Sequence, residues 1–507
     1  MQKRKKIILN FITDALPIII IGFLGIFKMK LFLEVLGQET LGLYQLFIQV
    51  MTYIALVDGG LSSAVLYALY KPNTSNDQKK FNAILAGAYK IFKKIGAIVF
   101  LLAALVGFII PYLIKENSFS NIYISITFLI FSLSNVINYF FVPYQVLLEV
   151  KEKKYISNIA LQSGQILQSV TEIIMLLKGC SFTSILVMHS IVKLLANLVM
   201  AIMAKKMYPN IDLKSKKIDT SFKEQIKHLI FHKINGLVGS NIDVILISKF
   251  LGLKSVAIYS SYKYITNTLE NIIGKIKSAV QAIIGNIISK SKEVTYQLFL
   301  DFHSLMFMIG TIICVPLSYA LNSFIEIWYE GEIETSIYIS LAFTLCLFVY
   351  IIKQPIVTFV NADGLFKETK KCALADTLIN LFLSLFLMHF IGIPGVLIAT
   401  AISVFIAEYI LKNKVLHKEL FKTNMKKIFI NFFKLFTIAI IDFSMFYLII
   451  KHMNITNIGI WLLFYTIFTI INGIIVFIIY HIIGETKIIE QLRRKHGKNI
   501  NLSVKRK

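Results

Sequence analysis

Seven residues in one apolar stretch, Tyr259, Lys263, Asn267, Glu270, Gly274, Lys277 and Gln281, follow one another at intervals of 4, 4, 3, 4, 3 and 4. At about 100° per residue this spacing sets all seven on one face of a helix. Two ammonium groups, a carboxylate and two amides in such a row can hold an anion, carry a cation, or pair with one another. A charge at mid-bilayer costs about 2.5–3.5 kcal/mol. Half a dozen facing lipid would cost on the order of 15–20 kcal/mol, against a typical folding stability of about 5–15 kcal/mol. The stripe therefore lines a wet cavity or forms a polar seam between helices; the cavity is the expectation here.

Other charges are sorted in the same way. In "LGIFKMKLFLEVLG", from Leu24 to Gly37, Lys28 shares a face about 120° wide with Asp14, Gly22 and Gly25. Lys30 and Glu34 lie nearly opposite and four apart, so they pair locally. Lys28 is then the charge that needs an interior. Shorter polar stripes are Gln162, Gln165, Ser169 and Glu172; Ser190, Lys193 and Asn197; and Asp376, Asn380 and Ser384. Lys353, just before Pro355, is a further cavity candidate, whereas Asp58 fits packing as well as function. Lys90, Lys93 and Lys94 sit where long side chains snorkel, and His389 and His452 where an interface is expected. Cys180, Cys314, Cys346 and Cys372 form no CxxC or Cys/His spacing, so neither a metal site nor a disulfide framework is expected, and no cofactor.

These residues need long apolar helices to position them. The 507 residues carry only 16% charged side chains, well under the quarter usual in soluble chains. Apolar segments centre on 8–36, 43–69, 88–114, 121–148, 156–177, 183–204, 229–251, 256–287, 298–325, 336–360, 372–390, 395–411, 428–450 and 459–483. Fourteen segments of this length predict an all-α polytopic membrane protein. Pro17, Pro143, Pro316 and Pro355 fall inside segments and predict kinks.

Charge orients the segments. The net charge of +25 gathers in "KRKK", "KPNTSNDQKK", "EVKEKK", "AKKMYPNIDLKSKK", "SKSK", "FKETKK", "LKNKVLHKELFKTNMKK" and the tail "RRKHGKNINLSVKRK". The intervening connections hold only Lys115, Lys178, Lys254 and Lys451, and "EIWYEGEIETS" holds four glutamates. The positive-inside rule then puts both ends in the cytoplasm. The charged start "MQKRKKIILNF" precedes an apolar run too long for a leader and reads as an uncleaved first helix. No soluble basic module exists to bind nucleic acid. A membrane glycan polymerase or ligase would need a large outer loop, and the outer connections are mostly under ten residues.

The chain also repeats itself. "LGQETLGLYQLF" from Leu36 matches "LGLKSVAIYSSY" from Leu251 at an offset of 215. "VPYQVLLEVKEKKYI" from Val142 matches "QPIVTFVNADGLFKE" from Gln354 at 212, and "SILVMHSIV" matches "GVLIATAIS" at 211. Three matches in order predict a duplicated six-helix unit whose halves run parallel. The expected organisation is a first lobe over 1–206, a basic linker over 207–228, a second lobe over 229–412, two added helices over 413–484 and a basic tail over 485–507. The offset carries Lys28 onto Asp243, an opposite charge. The second segment's equivalent face (Tyr44, Ile48, Ala55, Gly59, Ser62) is nearly neutral, so most of the charge is expected on the second half.

At "FLEVLGQETLGLYQLF", "YIALVDGGLSSAVLYALY" and "NIDVILISKFLGLKSVAIYS" the chain resembles the Wzx-type oligosaccharide flippases of the multidrug/oligosaccharidyl-lipid/polysaccharide (MOP) exporter superfamily. The resemblance implies two lobes around a cleft with alternating access, in a bacterial cytoplasmic membrane. It implies a polyprenyl-diphosphate-linked oligosaccharide as substrate, membrane lipid as surroundings, and polymerase and glycosyltransferases as partners. A diphosphate needs cations where water is scarce, and Lys28, Lys263, Lys277 and Lys353, with Asn267, are the residues expected to serve it. Asp243 and Glu270 either pair with those lysines or carry a coupling cation. Alternatives are a cation-coupled multidrug exporter, a glycan polymerase or ligase, and a non-transporting scaffold for cell-wall enzymes.

Overall fold

The computed structural model describes residues 2–58, 60–115, 118–213, 215, 218–222, 242–288, 292–450, 455 and 457–486. Most of the expected seventh segment (223–241), part of the linker, the tail beyond 486, His452, and the side chains of Asp14 and Asp58 lie outside the described residues. Among those described, every regular element is helical. The helices are α1 (Gln2–Leu36), α2 (Gln38–Ile54), α3 (Leu61–Thr74), α4 (Gln78–Ile109), α5 (Asn121–Val150), α6 (Lys154–Leu177), α7 (Phe182–Met207) and α8 (Asp243–Phe250). Then follow α9 (Leu253–Ile288), α10 (Lys292–Trp328), α11 (Ile337–Asp363), α12 (Lys370–Ile391), α13 (Ile393–Phe421), α14 (Lys426–Ile450) and α15 (Ile458–Ile482). The chain divides into two compact units, Met1–Ser260 and Ser261–Lys507, at a boundary that falls within the sequence of α9.

The repeat is visible helix by helix. α2, α4, α5, α6 and α7 start at Gln38, Gln78, Asn121, Lys154 and Phe182; α9, α10, α11, α12 and α13 start 215, 214, 216, 216 and 211 residues later. The same glycine chemistry makes the first turn of each copy. Gly37 and Gly252 have φ of +84° and +86°, a region where a side chain is strained, so each ends one helix and starts the next within a residue. Tyr44 and Tyr259, equivalent in the repeat, are both buried.

Two departures from the expected segments have local causes. The second segment is split: a 3-10 turn at Ala55–Asp58 and a left-handed Gly60 (φ +86°) separate α2 from α3. Its counterpart α9 is continuous, with Gly274 and Lys275 where the first copy has Gly59 and Gly60. Lysine does not adopt the left-handed turn that Gly60 supplies. Of the four internal prolines only Pro355 coincides with a break: Lys353 interrupts α11, and the Gln354 amide donates to the Tyr350 carbonyl at 2.9 Å. The thirteenth helix runs on through wide π turns to Phe421, past the expected end at 411.

In the first unit α1 packs on α6, α6 on α7, α7 on α5 and α5 on α4; in the second, α10 packs on α11, α14 and α15, and α12 on α13. Burial follows this order. The most apolar window of α10 is 72% buried, while those of α12 and α15 are 17% buried and offer Leu, Ile and Phe outward, as lipid-facing helices do. Nine described helices are long and apolar enough to span a bilayer. The expected first, second, fifth, seventh and eighth segments are not among them. The fifth (α6) and eighth (α9) are continuous helices that carry polar stripes.

Candidate functional site

In the first unit the charge gathers on α1, α6 and α7. Glu172, one turn from the end of α6, has a side chain only 1% exposed. Lys28 of α1 lies 2.9 Å from its Oε2, and the Gln168 amide and His189 Nδ1 converge on Oε1 at 2.9 Å each. Tyr44 roofs the pair, with the Lys28 ammonium 5.8 Å from its ring centroid, and Phe32, Phe131 and Phe182 surround that ring. Further along α7, Lys193 donates to Asn135 at 3.4 Å and Asn197 to Asn138 at 2.9 Å. The first half is thus charged, on helices other than the second. The near-neutral face of Tyr44 and Ile48 is only one wall of this unit. Lys30 reaches Glu34 at 3.7 Å on the far side of α1.

The repeat-related acid, Asp243, is 5% exposed and accepts a hydrogen bond from Tyr259 at 3.0 Å. Lys28 lies under Tyr44 and Asp243 against Tyr259, so the two copies keep the tyrosine and invert the charge it meets.

In the second unit the stripe on α9 divides. Lys263 and Glu270 pair at 3.0 Å, and Asn267 is exposed beside them. Tyr350 donates to the Glu270 carbonyl at 3.4 Å, and Lys353 lies 5.6 Å from the Tyr350 ring centroid. Lys277 belongs to a second group. Glu408 of α13 is 8% exposed, bonds Lys412 one turn on at 2.5 Å, and interacts electrostatically with Lys353 and Lys277. Asp376 of α12 interacts with Ser403, Lys353 and Lys412. Three ammonium groups therefore face two carboxylates among helices α9, α11, α12 and α13. Lys353 sits at the break in α11, between Ile352 and Gln354.

Of the residues expected to form one site, the structure brings together Lys263 with Glu270, and Lys277 with Lys353; Lys28 is held by Glu172 and Asp243 by Tyr259. The sequence reading missed Glu408, inside an expected segment, and Lys412, just past that segment's end at 411; their i,i+4 spacing was the available signal. It named Glu172 and Lys193 only as stripe members, and it missed His189.

An apolar groove of about 330 Å³ also opens between α10, α11 and α14, lined by Cys314, Leu345, Phe348, Phe436 and Phe443.

The model of the polysaccharide biosynthesis proteins matches residues 10–284, more than half of the chain. The chain belongs to the polysaccharide biosynthesis protein family. Solved structures agree on the fold. "Lipid II flippase MurJ, inward closed conformation" superposes with a TM-score of 0.68 over 95% of this chain and 100% of that one, at 19% identity. An inward-facing multidrug resistance MATE family transporter of the MOP superfamily gives 0.62 over 82% and 99%, at 14% identity. The MATE multidrug transporter DinF-BH gives 0.58 over 83% and 96%, at 15% identity. A search of curated protein sequences gives no match. The fold is the one shared by these flippase and multidrug-transporter structures.

Proposed function

We propose that this protein flips a polyprenyl-diphosphate-linked oligosaccharide from the inner to the outer leaflet of a bacterial cytoplasmic membrane, for assembly of a cell-surface polysaccharide. The observation that carries the reading is the excess of ammonium groups around Glu408 and Asp376. A diphosphate in a dry setting needs cations, and Lys277, Lys353 and Lys412 supply them as point charges. The four arginines, at 4, 493, 494 and 506, are near the chain ends, so the binding mode is lysine-based and not a bidentate arginine clamp. The apolar groove walled by Phe348, Phe436 and Phe443 suits an isoprenoid chain. The likeness to the lipid II flippase supports a lipid-linked cargo.

Glu408 and Asp376 hold the lysines while the site is empty and yield them when the diphosphate arrives; Glu270 does the same for Lys263, about two to four turns earlier on α9. Both chain ends are cytoplasmic in this reading. Moving negative charge out of a cell with a negative interior is then favourable by about 2.3 kcal/mol per charge at 100 mV. A multidrug exporter of cationic compounds would call for an acidic excess, the reverse of the balance here.

Reconstituted into liposomes, the protein is expected to move a labelled polyprenyl-diphosphate sugar between leaflets. Lys277→Gln/Lys353→Gln is expected to slow that movement at least about tenfold. Wild-type rates from the double variant, or export of cationic dyes with no effect on the lipid-linked sugar, would overturn the proposal. In cells, deletion is expected to leave lipid-linked sugar on the inner leaflet.

A further inference from the structure

A second cleft, of about 510 Å³, opens in the first unit where α3 stops and α4 begins. It lies far from the Lys28–Glu172 pair: Glu172 is near the end of α6, and the cleft is at the end where α4 and α6 start. Lys71, in the last turn of α3, and Lys80, in the first turn of α4, line it together with Tyr67, Tyr70 and Ser221. Among the described residues neither ammonium has a carboxylate oxygen within 4.0 Å. The acid in the lining, Asp77, is engaged as the cap of α4, its Oδ1 accepting from the Lys80 backbone N–H at 3.0 Å. Asp219 stands nearby: its Oδ1 accepts from the Ser221 N–H at 2.9 Å, and its carboxylate also bonds the Ser221 side chain and interacts electrostatically with Lys80.

One wall of this cleft is not part of the helix bundle. Ser221 and Phe222 follow α7, on a segment laid back across the start of α4. Gln78 and Asn82 donate to the Asn210 carbonyl at 3.4 and 3.3 Å, and the Asp219 N–H donates to Ala83 O at 3.0 Å. Phe222 is 1% exposed. α4 carries a glycine where the segment crosses: a Cβ on Gly87 would stand 2.2 Å from the Asp219 carbonyl oxygen. Close approach of two backbones is what that glycine permits. At the opposite rim Tyr67 and Tyr70 are 67% and 48% exposed, amphipathic rings at the boundary between an apolar helix and a basic connection.

We propose that this cleft binds a phosphate group, from an anionic lipid headgroup or from a soluble phosphate, and that the bound phosphate fixes the segment carrying Ser221 and Phe222 to α4. Lys71 and Lys80 meet the anionic oxygens, the tyrosine hydroxyls donate to the rest, and Phe222 closes the back. The segment leads into the connection between the two halves, so occupancy sets how firmly that connection is anchored. The proposal does not depend on what the protein transports.

Hydrogen–deuterium exchange of the 218–222 amides tests it, on the full-length protein in nanodiscs. The discs are phosphatidylcholine alone, phosphatidylcholine with phosphatidylglycerol, or phosphatidylcholine with inorganic phosphate added. Exchange is expected to slow about tenfold with phosphatidylglycerol or with phosphate, from two lysines beside an anionic oxygen cluster. Slowing by the lipid only identifies a headgroup; slowing by phosphate alone identifies a soluble ligand. Lys71→Gln/Lys80→Gln is expected to abolish the effect and Lys71→Arg/Lys80→Arg to retain it. Gly87→Leu is expected to leave the segment fast in every condition. Equal exchange in all three conditions, or slowing that survives Lys71→Gln/Lys80→Gln, would overturn the proposal.

Discussion

The two halves of the molecule share a helix order and a residue offset near 215, yet they place their charge at different levels along their helices. In the first half Glu172 and His189 lie five and seven residues from the α6–α7 connection, about 8 and 10 Å along their axes. In the second, Asp376 and Lys412 lie fifteen and nineteen residues from the equivalent α12–α13 connection, about 22 and 28 Å along. The first group is closed: one lysine, one histidine and one amide saturate a single carboxylate under a roof of aromatic rings. The second is open, with more ammonium than carboxylate groups around Glu408. The two copies share the scaffold and differ at the polar positions, so one holds a closed, paired group and the other the open group proposed to take the diphosphate.

That contrast predicts a ranking of mutational effects. The largest belongs to the closed group. Glu172→Gln strands Lys28 in a buried setting and is expected to destabilise the protein by about 3–5 kcal/mol, read as a lowered midpoint of thermal unfolding in detergent. Lys28→Met/Glu172→Leu, which removes both charges, is expected to recover most of that loss. Next come the duplicated turns. Gly37→Ala and Gly252→Ala force side chains into positive φ and are expected to cost about 1–3 kcal/mol each, with similar values in the two copies. Unequal losses would mean that the turns are alike in shape only. Lys277→Gln is expected to change stability by less than about 1 kcal/mol while lowering transport, because its partners in the open group are already shared. The smallest effect is that of Lys30→Gln, whose partner Glu34 is 40% exposed; it is expected to shift stability by no more than about 0.5 kcal/mol.

Much of the scaffold was legible in the sequence because each of its signals is local. Apolar run length gave the helices, Leu-Gly before a buried tyrosine gave the repeated turn, and the Lys30–Glu34 spacing gave their pair. The break at Gly60 was less legible, since two adjacent glycines inside an apolar run are tolerated in a membrane helix as often as they break one. The site was legible by residue type and not by partner. Lys28 was correctly set apart from Lys30, yet nothing local ties it to Glu172, 144 residues away. Glu408 and Lys412 lie past the middle of α13, Glu408 as a single acid inside an apolar run and Lys412 where a basic stretch begins and the helix gives no apolar signal of continuing.

The most direct test of the open anion site is equilibrium binding of a short-chain polyprenyl diphosphate to the purified protein, compared between the wild type, Lys277→Gln/Lys353→Gln and Lys30→Gln. The expected result is an affinity at least about tenfold weaker in the double variant and unchanged in Lys30→Gln. Wild-type affinity in the double variant, with its fold intact, would contradict the assignment of the second half's lysines to the diphosphate.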